Sequence, residues 1–86
     1  MQFSKNEQKL LQDEKYFLFS ELDGNMARVV SRCTLDSWII KLKDTYCILY
    51  HEHPGQKRYH EHRRFQKTAD AIAEIKSHDQ YSQSKK

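Results

Sequence analysis

Eighty-six residues carry 15 Lys and Arg against 12 Asp and Glu, a formal charge of +3, with 37% hydrophobic and 31% charged residues. A chain of this length is expected to fold as one domain that buries about 60% of the surface its unfolded form exposes. The longest apolar run, Tyr46 to Tyr50, is strand-length, so a membrane span is excluded. The Lys-, Gln- and Glu-rich N-terminal stretch does not read as an export signal. Cys33 and Cys47 are then expected as reduced thiols of a cytoplasmic protein.

In chain order, Ser4-Lys5-Asn6-Glu7 has the spacing of a capping box, in which the serine hydroxyl and the Glu7 carboxylate satisfy each other's backbone N–H. Leu10, Leu11, Phe17, Leu18 and Leu22 recur at helical spacing behind it, and Asp23-Gly24-Asn25 offers a stop, so a first helix is expected from about residue 5 to about 22. Its weak point is Tyr16-Phe17-Leu18-Phe19, which could equally open a strand. Ala27 to Cys33 is a short β-type run, and Thr34 to Ser37 reads as a turn. Trp38 to Lys43 alternates, with Trp38, Ile40 and Leu42 on one face and Ile39, Lys41 and Lys43 on the other. Tyr46 to His53 is the next strand, Pro54-Gly55 marks a turn, and Arg58 to Phe65 returns as a further strand. Thr68 is placed to cap a second helix running to about Tyr81, with Ala69, Ile72, Ala73 and Ile75 on its apolar side, and residues 82–86 read as a frayed tail.

This order gives an α+β domain over residues 1–81: an N-terminal helix, three or four antiparallel strands, and a C-terminal helix packed on the sheet. Trp38, Ile40, Leu42, Cys47, Leu49, Ile72 and Ile75 are the expected core.

The charge is not spread evenly. Residues 54–68 hold Lys57, Arg58, Arg63, Arg64 and Lys67 against only Glu61, for +4, whereas residues 1–25 sum to −2. A basic surface of this kind suits phosphate-bearing or acidic partners, although a charged hairpin edge that merely keeps the protein soluble has the same composition.

Two His-Glu-His triplets, His51-Glu52-His53 and His60-Glu61-His62, flank Pro54-Gly55. Where their side chains meet depends on the parity of the loop. A four-residue loop would bring His51, His53, His60 and His62 together as a candidate site for zinc or a similar metal, but it would turn Arg58 and Arg64 toward the core face. A five-residue loop is preferred because it sends Arg58, His60, His62 and Arg64 to the face of Lys41, Lys43, Tyr46 and Tyr50. No cofactor is expected on that register. Nor is catalysis: the chain has only two glycines, no phosphate-cradling loop, and no pairing of Cys33 or Cys47 with a recognisable catalytic motif.

From Trp38 to about His78 the pattern resembles the N-terminal arm-type DNA-binding domain of phage and conjugative-transposon integrases. The residues that carry the likeness are Trp38 at the start of a strand, the Pro54-Gly55-Gln56-Lys57-Arg58 turn, and Phe65 shortly before the Thr68-Ala69-Asp70-Ala71 helix start. The resemblance implies a three-stranded sheet backed by one helix, whose open face enters the major groove. It would make Lys41, Lys43, Tyr50, Arg58, His60, His62 and Arg64 the contact set. The spacing departs by one residue between Phe65 and Thr68, and the N-terminal helix has no counterpart in that family. The resulting expectation is a non-catalytic nucleic-acid-binding module, with DNA ahead of RNA. The alternatives are a protein-interaction module with an acidic partner, or a homodimer of a phage or mobile-element accessory protein using surplus apolar surface at Tyr16, Phe17, Phe19, Ile39, Ile48 and Tyr50, and the His-rich metal hairpin.

Overall fold

The computed structural model of the chain describes residues 2–52 and 59–84, with side chains through residue 81. Among these residues, α1 spans Lys5–Leu11, β1 Phe17–Asp23, β2 Met26–Ser31, β3 Ser37–Leu42, β4 Cys47–Glu52, β5 His60–Phe65 and α2 Thr68–Ser84. The strands form one antiparallel sheet in the order β1-β2-β3-β4-β5. α2 lies against β3, β4 and β5 and touches α1, which reaches β1. The class is therefore α+β, with five strands rather than three or four. His53, the Pro54-Gly55 turn and Arg58 lie outside the described residues.

The capping box forms: Glu7 N–H donates to Ser4 Oγ at 3.1 Å, and Ser4 N–H to Glu7 Oε1 at 2.7 Å. Partial burial pushes the Glu7 carboxyl upward, and the nearby Thr68 hydroxyl together with the Ser4 hydrogen bonds outweighs it, leaving the group below the usual carboxylate value. The helix that follows is shorter than expected. It stops at Leu11 because Asp13 organises a turn instead: its carbonyl accepts from the N–H of Tyr16 and Phe17, and its carboxylate from the N–H of Lys15. The aromatic run then enters β1. Gly24, with φ +61°, serves as the two-residue β1–β2 turn with Asn25 rather than as a helix stop. Leu18 and Leu22, four apart, mimic a helical stripe, but Phe17 is buried and Leu22 half-buried on the inner side of a strand, and Leu18 is exposed at a bulge.

Pairing fixes which side chains share a face. Ala27 is opposite Ile40 and Val29 opposite Trp38; Ile40 is in turn opposite Leu49, Leu42 opposite Cys47 and Cys47 opposite Phe65. These point toward the helices and meet Phe3, Leu11, Ala71, Ile72 and Ile75 in one core. Of the seven expected core residues, six are buried and Leu42 packs half-buried against them. On α2, the buried stripe is Thr68, Ala71, Ile72, Ile75 and Asp79, so Ala71 takes the place expected for Ala69 and Ala73, which are exposed. The cap also moves by one: the carbonyl of Lys67, not Thr68, receives the first helical hydrogen bonds, from Asp70 and Ala71. α2 continues to Ser84, beyond the expected boundary at 81. Burial raises the pKa of the Cys47 thiol, which acts as a small core hydrophobe, and Cys33 is an exposed free thiol. Among the described residues, no helix is long and apolar enough to cross a membrane.

Asp79, 1% exposed near the end of α2, ties the helix to the sheet. Its Oδ2 accepts from the Tyr16 hydroxyl at 2.6 Å and its Oδ1 from Thr34 Oγ at 3.2 Å. Burial and the Asp79 carboxylate raise the Tyr16 pKa well above the ordinary phenol value. Removing one donor leaves a buried carboxylate under-satisfied, so Tyr16→Phe is expected to destabilise by about 1–3 kcal/mol in urea unfolding at pH 7. A phenol whose folded pKa is raised contributes stability that is complete below the unfolded value of about 10 and declines above it. The wild type is therefore expected to lose stability more steeply above that pH than Tyr16→Phe.

Candidate functional site

β5 reads His60-Glu61-His62-Arg63-Arg64-Phe65 and has no simple apolar alternation. Its pairing with β4 explains how it is accommodated. His60 is opposite His51, Glu61 opposite Tyr50, Arg63 opposite Leu49, Arg64 opposite Ile48 and Phe65 opposite Cys47, so His62 is the extra residue of a β-bulge. The bulge changes the parity within the strand itself. His60 and His62 face α2, and Arg64 faces the other side. The five-residue-loop expectation, which placed His60 and His62 with Arg64, is thus corrected: His60 pairs with His51, the parity of the four-residue alternative, and the bulge then turns Arg64 outward, so that among the described residues no arginine enters the core.

The helix side therefore gathers imidazoles around Trp38, which is fully buried. The His51 ring stacks on the indole with centroids 3.9 Å apart and planes at 12°. His62 and His78 meet the same indole edge-on at 5.6 and 5.1 Å. His78 lies 4.9 Å and His60 5.6 Å from the His51 ring, and His62 lies 5.8 Å from His78. His51, 1% exposed, places Nε2 3.2 Å from Oδ2 of the buried Asp36. His62 Nε2 is 3.4 Å from Glu74 Oε2 on α2, a carboxylate that Arg63 also approaches at 3.5 Å. Donor atoms of Asp36, His51 and His78 lie within 4.8 Å of one another, as do those of His51, His60 and His62.

Asp36 and His78 were not singled out as site residues in the sequence. Asp36 reads as a turn residue, yet it shares the parity of Trp38 at the entrance to β3. The chain is brought there by Leu35, in the left-handed region at φ +64°, and by the Ser31 N–H bonding back to the Asp36 carbonyl. His78 lies three residues after Ile75 on the buried stripe of α2, a spacing that would have identified it as inward-facing.

The opposite face of the sheet carries neither helix. From pairing, one row across it runs Asp23, Met26, Lys41, Ile48 and Arg64, and the next Glu21, Arg28, Ile39, Tyr50 and Glu61. Lys41 and Arg64 thus flank Ile48. The Arg64 guanidinium sits 5.6 Å from the Tyr46 ring centroid, and its Nη2 lies 3.2 Å from Glu61 Oε1. The hydrogen bond and charge of Glu61 raise the Arg64 pKa further. Lys43 stands just past the end of β3, its N–H bonded to the Tyr46 carbonyl in the β3–β4 hairpin. Arg28 donates to the Tyr59 hydroxyl at 3.0 Å. Of the expected contact set, Lys41, Tyr50 and Arg64 are brought to the uncovered face, Lys43 stands beyond the paired register in the β3–β4 hairpin, His60 and His62 point away from that face, and Arg58 is outside the described residues.

Comparison with protein-family models, curated proteins and solved structures found no match to this chain.

The cluster has an interior and a rim. His51→Ala removes a stacked, buried ring and is expected to cost about 2–5 kcal/mol in thermal or urea unfolding. His60→Ala, at the exposed rim, is expected to stay within about 0.5 kcal/mol of wild type.

Proposed function

We propose that this chain is a non-catalytic nucleic-acid-binding module that engages duplex DNA through the uncovered face of its sheet. The observation that carries this reading is the grouping of Lys41 and Arg64 with Tyr46 and Tyr50 around Ile48, on the side that neither α1 nor α2 covers, with Lys43 in the adjoining hairpin. Lysine and arginine on a twisted sheet can neutralise phosphates, an arginine can read guanine bidentately, and tyrosine hydroxyls position the backbone. A sheet face is an established groove reader. The carboxylates Glu21 and Asp23 lie on β1, at the far edge, while Glu61 sits on β5 beside Arg64, so Lys41 is the cation of this face set apart from a carboxylate in the pairing. The order of β3, β4, β5 and α2 is the three-strands-then-helix order that the resemblance to the integrase arm-type domain implies.

The alternative of a homodimer through surplus apolar surface has less to draw on, because Phe17 and Ile48 are buried within the subunit, leaving Leu18, Phe19 and Met26 as the exposed apolar groups of β1 and β2.

Fluorescence anisotropy with a random duplex at low salt tests the proposal. Binding is expected with log K falling linearly against log salt, and no binding at about 100 µM protein would overturn it, given that nonspecific affinities are about 10⁻⁴–10⁻⁶ M even at physiological salt. Lys41→Ala/Arg64→Ala is expected to weaken binding and to flatten the salt slope by about 2. Lys5→Ala/Lys9→Ala on α1 removes the same charge from the other side and is expected to leave the slope near that of wild type.

A further inference from the structure

We propose that Asp36, His51 and His78 form a binding site for a divalent transition-metal ion of the zinc type, on the helix side of the sheet and separate from the proposed nucleic-acid face. Three elements supply the donors: the end of the β2–β3 loop, the middle of the sheet at β4, and the second half of α2. A donor atom of each lies within 4.8 Å of the other two. The 3.2 Å between Asp36 Oδ2 and His51 Nε2 is already close to the about 3.3 Å that separates two donors of a tetrahedral ion with bonds of about 2.0–2.1 Å. The two edges that involve His78 are no longer than 4.8 Å, so binding would require His78 to draw in toward the Asp36–His51 pair.

The surroundings fit such an ion. His51 and Asp36 are 1% and 7% exposed, so a carboxylate and an imidazole are withdrawn from water beside an apolar core, an arrangement that packing alone does not require. The His51 ring is held in orientation by its stack on Trp38, and His78 meets both rings edge-on. The buried Nδ1 of His78 makes no hydrogen bond among the described residues. Two imidazoles and one carboxylate are a borderline nitrogen–oxygen set that suits zinc, nickel or copper rather than magnesium or calcium. His62, with its ring 6.0 Å from His51 and 5.8 Å from His78, is within reach as a fourth donor, and Glu74 beside its Nε2 would orient it.

The group of His51, His60 and His62 shares a residue with this site but offers no anion and opens to solvent at His60. The Asp36 group is favoured because it carries a charge that offsets the ion and because two of its donors are already at ligand separation. An ion held there would fasten α2 to the sheet, since His78 is the helix's contribution.

The test is a titration of the full chain with zinc sulfate, followed by the fluorescence of Trp38, the single tryptophan, by imidazole ¹⁵N shifts, and by melting temperature. Expected are one ion per chain, a Kd below about 10 µM, and a melting temperature that rises with zinc concentration. Asp36→Asn and His78→Gln are each expected to weaken binding at least about tenfold, with His60→Ala unchanged. The proposal is overturned if no one-to-one binding occurs below about 100 µM. It is equally overturned if His60→Ala abolishes binding while Asp36→Asn and His78→Gln retain it. Should either ligand variant fail to fold, the wild-type shifts decide: movement at His51 and His78 with His60 still supports the site, and movement at His60 with His78 still refutes it.

Discussion

The stack of His51 on Trp38 is the contact on which the rest of the helix side depends. Trp38 is the largest fully buried side chain, and it lies where β3, β4 and α2 converge. The indole divides the space under α2 into two parts. On one side lie Ile40, Cys47, Leu49, Leu11, Ile72 and Ile75, an ordinary apolar core. On the other lie Asp36, His51, His62 and His78, with the Tyr16–Asp79–Thr34 network next to them. An aromatic ring with an apolar face and a polarisable π-system can border both environments. Replacing it with an aliphatic residue would fill volume but give the imidazoles no plane to stack on.

The bulge at His62 is the second constraint, and it reconciles two demands that a regular strand cannot meet. β5 must send Phe65 inward to close the core against Cys47, and it must keep Arg64 out. With regular alternation, His60, His62 and Arg64 would share a face. One extra residue shifts the phase, so the histidines turn toward α2 and Arg64 turns to the uncovered side. Arg63, placed inward by the same shift, escapes along the edge of the sheet to Glu74. β5 is an edge strand, and its row of charges discourages further strand pairing there.

Much of the scaffold was legible because its signals are local. The Ser4–Glu7 capping box depends on a four-residue spacing and the β3 alternation on period two, and both appear as read within a residue; the i, i+3, i+4 repetition of α2 locates the helix and Ile72 and Ile75 in its buried stripe, but not Ala71 in place of Ala69 and Ala73. The errors fall where two periods coincide or where a single residue changes phase. Leu18 and Leu22 satisfied a helix, while the Asp13 turn and the positive φ of Gly24, which decide for a strand, are conformational facts of single residues. The facing of His60 follows the parity of the four-residue alternative, disfavoured because it turned Arg64 inward; what sequence does not reveal is the bulge at His62, which turns Arg64 out while His60 stays beside His51. Asp36 was unreadable for a related reason: its inward direction follows from the left-handed turn at Leu35, a residue with no sequence preference for that conformation.

The two sides of the sheet are one residue apart along the chain. Tyr50 and His51 are consecutive on β4, one on the uncovered face and the other stacked under α2, and Arg64 and Arg63 stand in the same relation on β5. Charge on one side is therefore felt on the other across roughly the thickness of a single sheet, within the Debye length of about 8–10 Å at physiological salt and through an interior that screens weakly. The cationic groups of the uncovered face are few, and Arg64 is partly offset by Glu61. A divalent ion on the helix side would add positive potential to the face proposed to bind phosphate, which carries few cationic groups of its own. Its effect on such a ligand would be long-range attraction without any change in contacts, because the sheet itself, with Leu49 buried on the helix side and Ile48 on the other, stands between the two proposed sites.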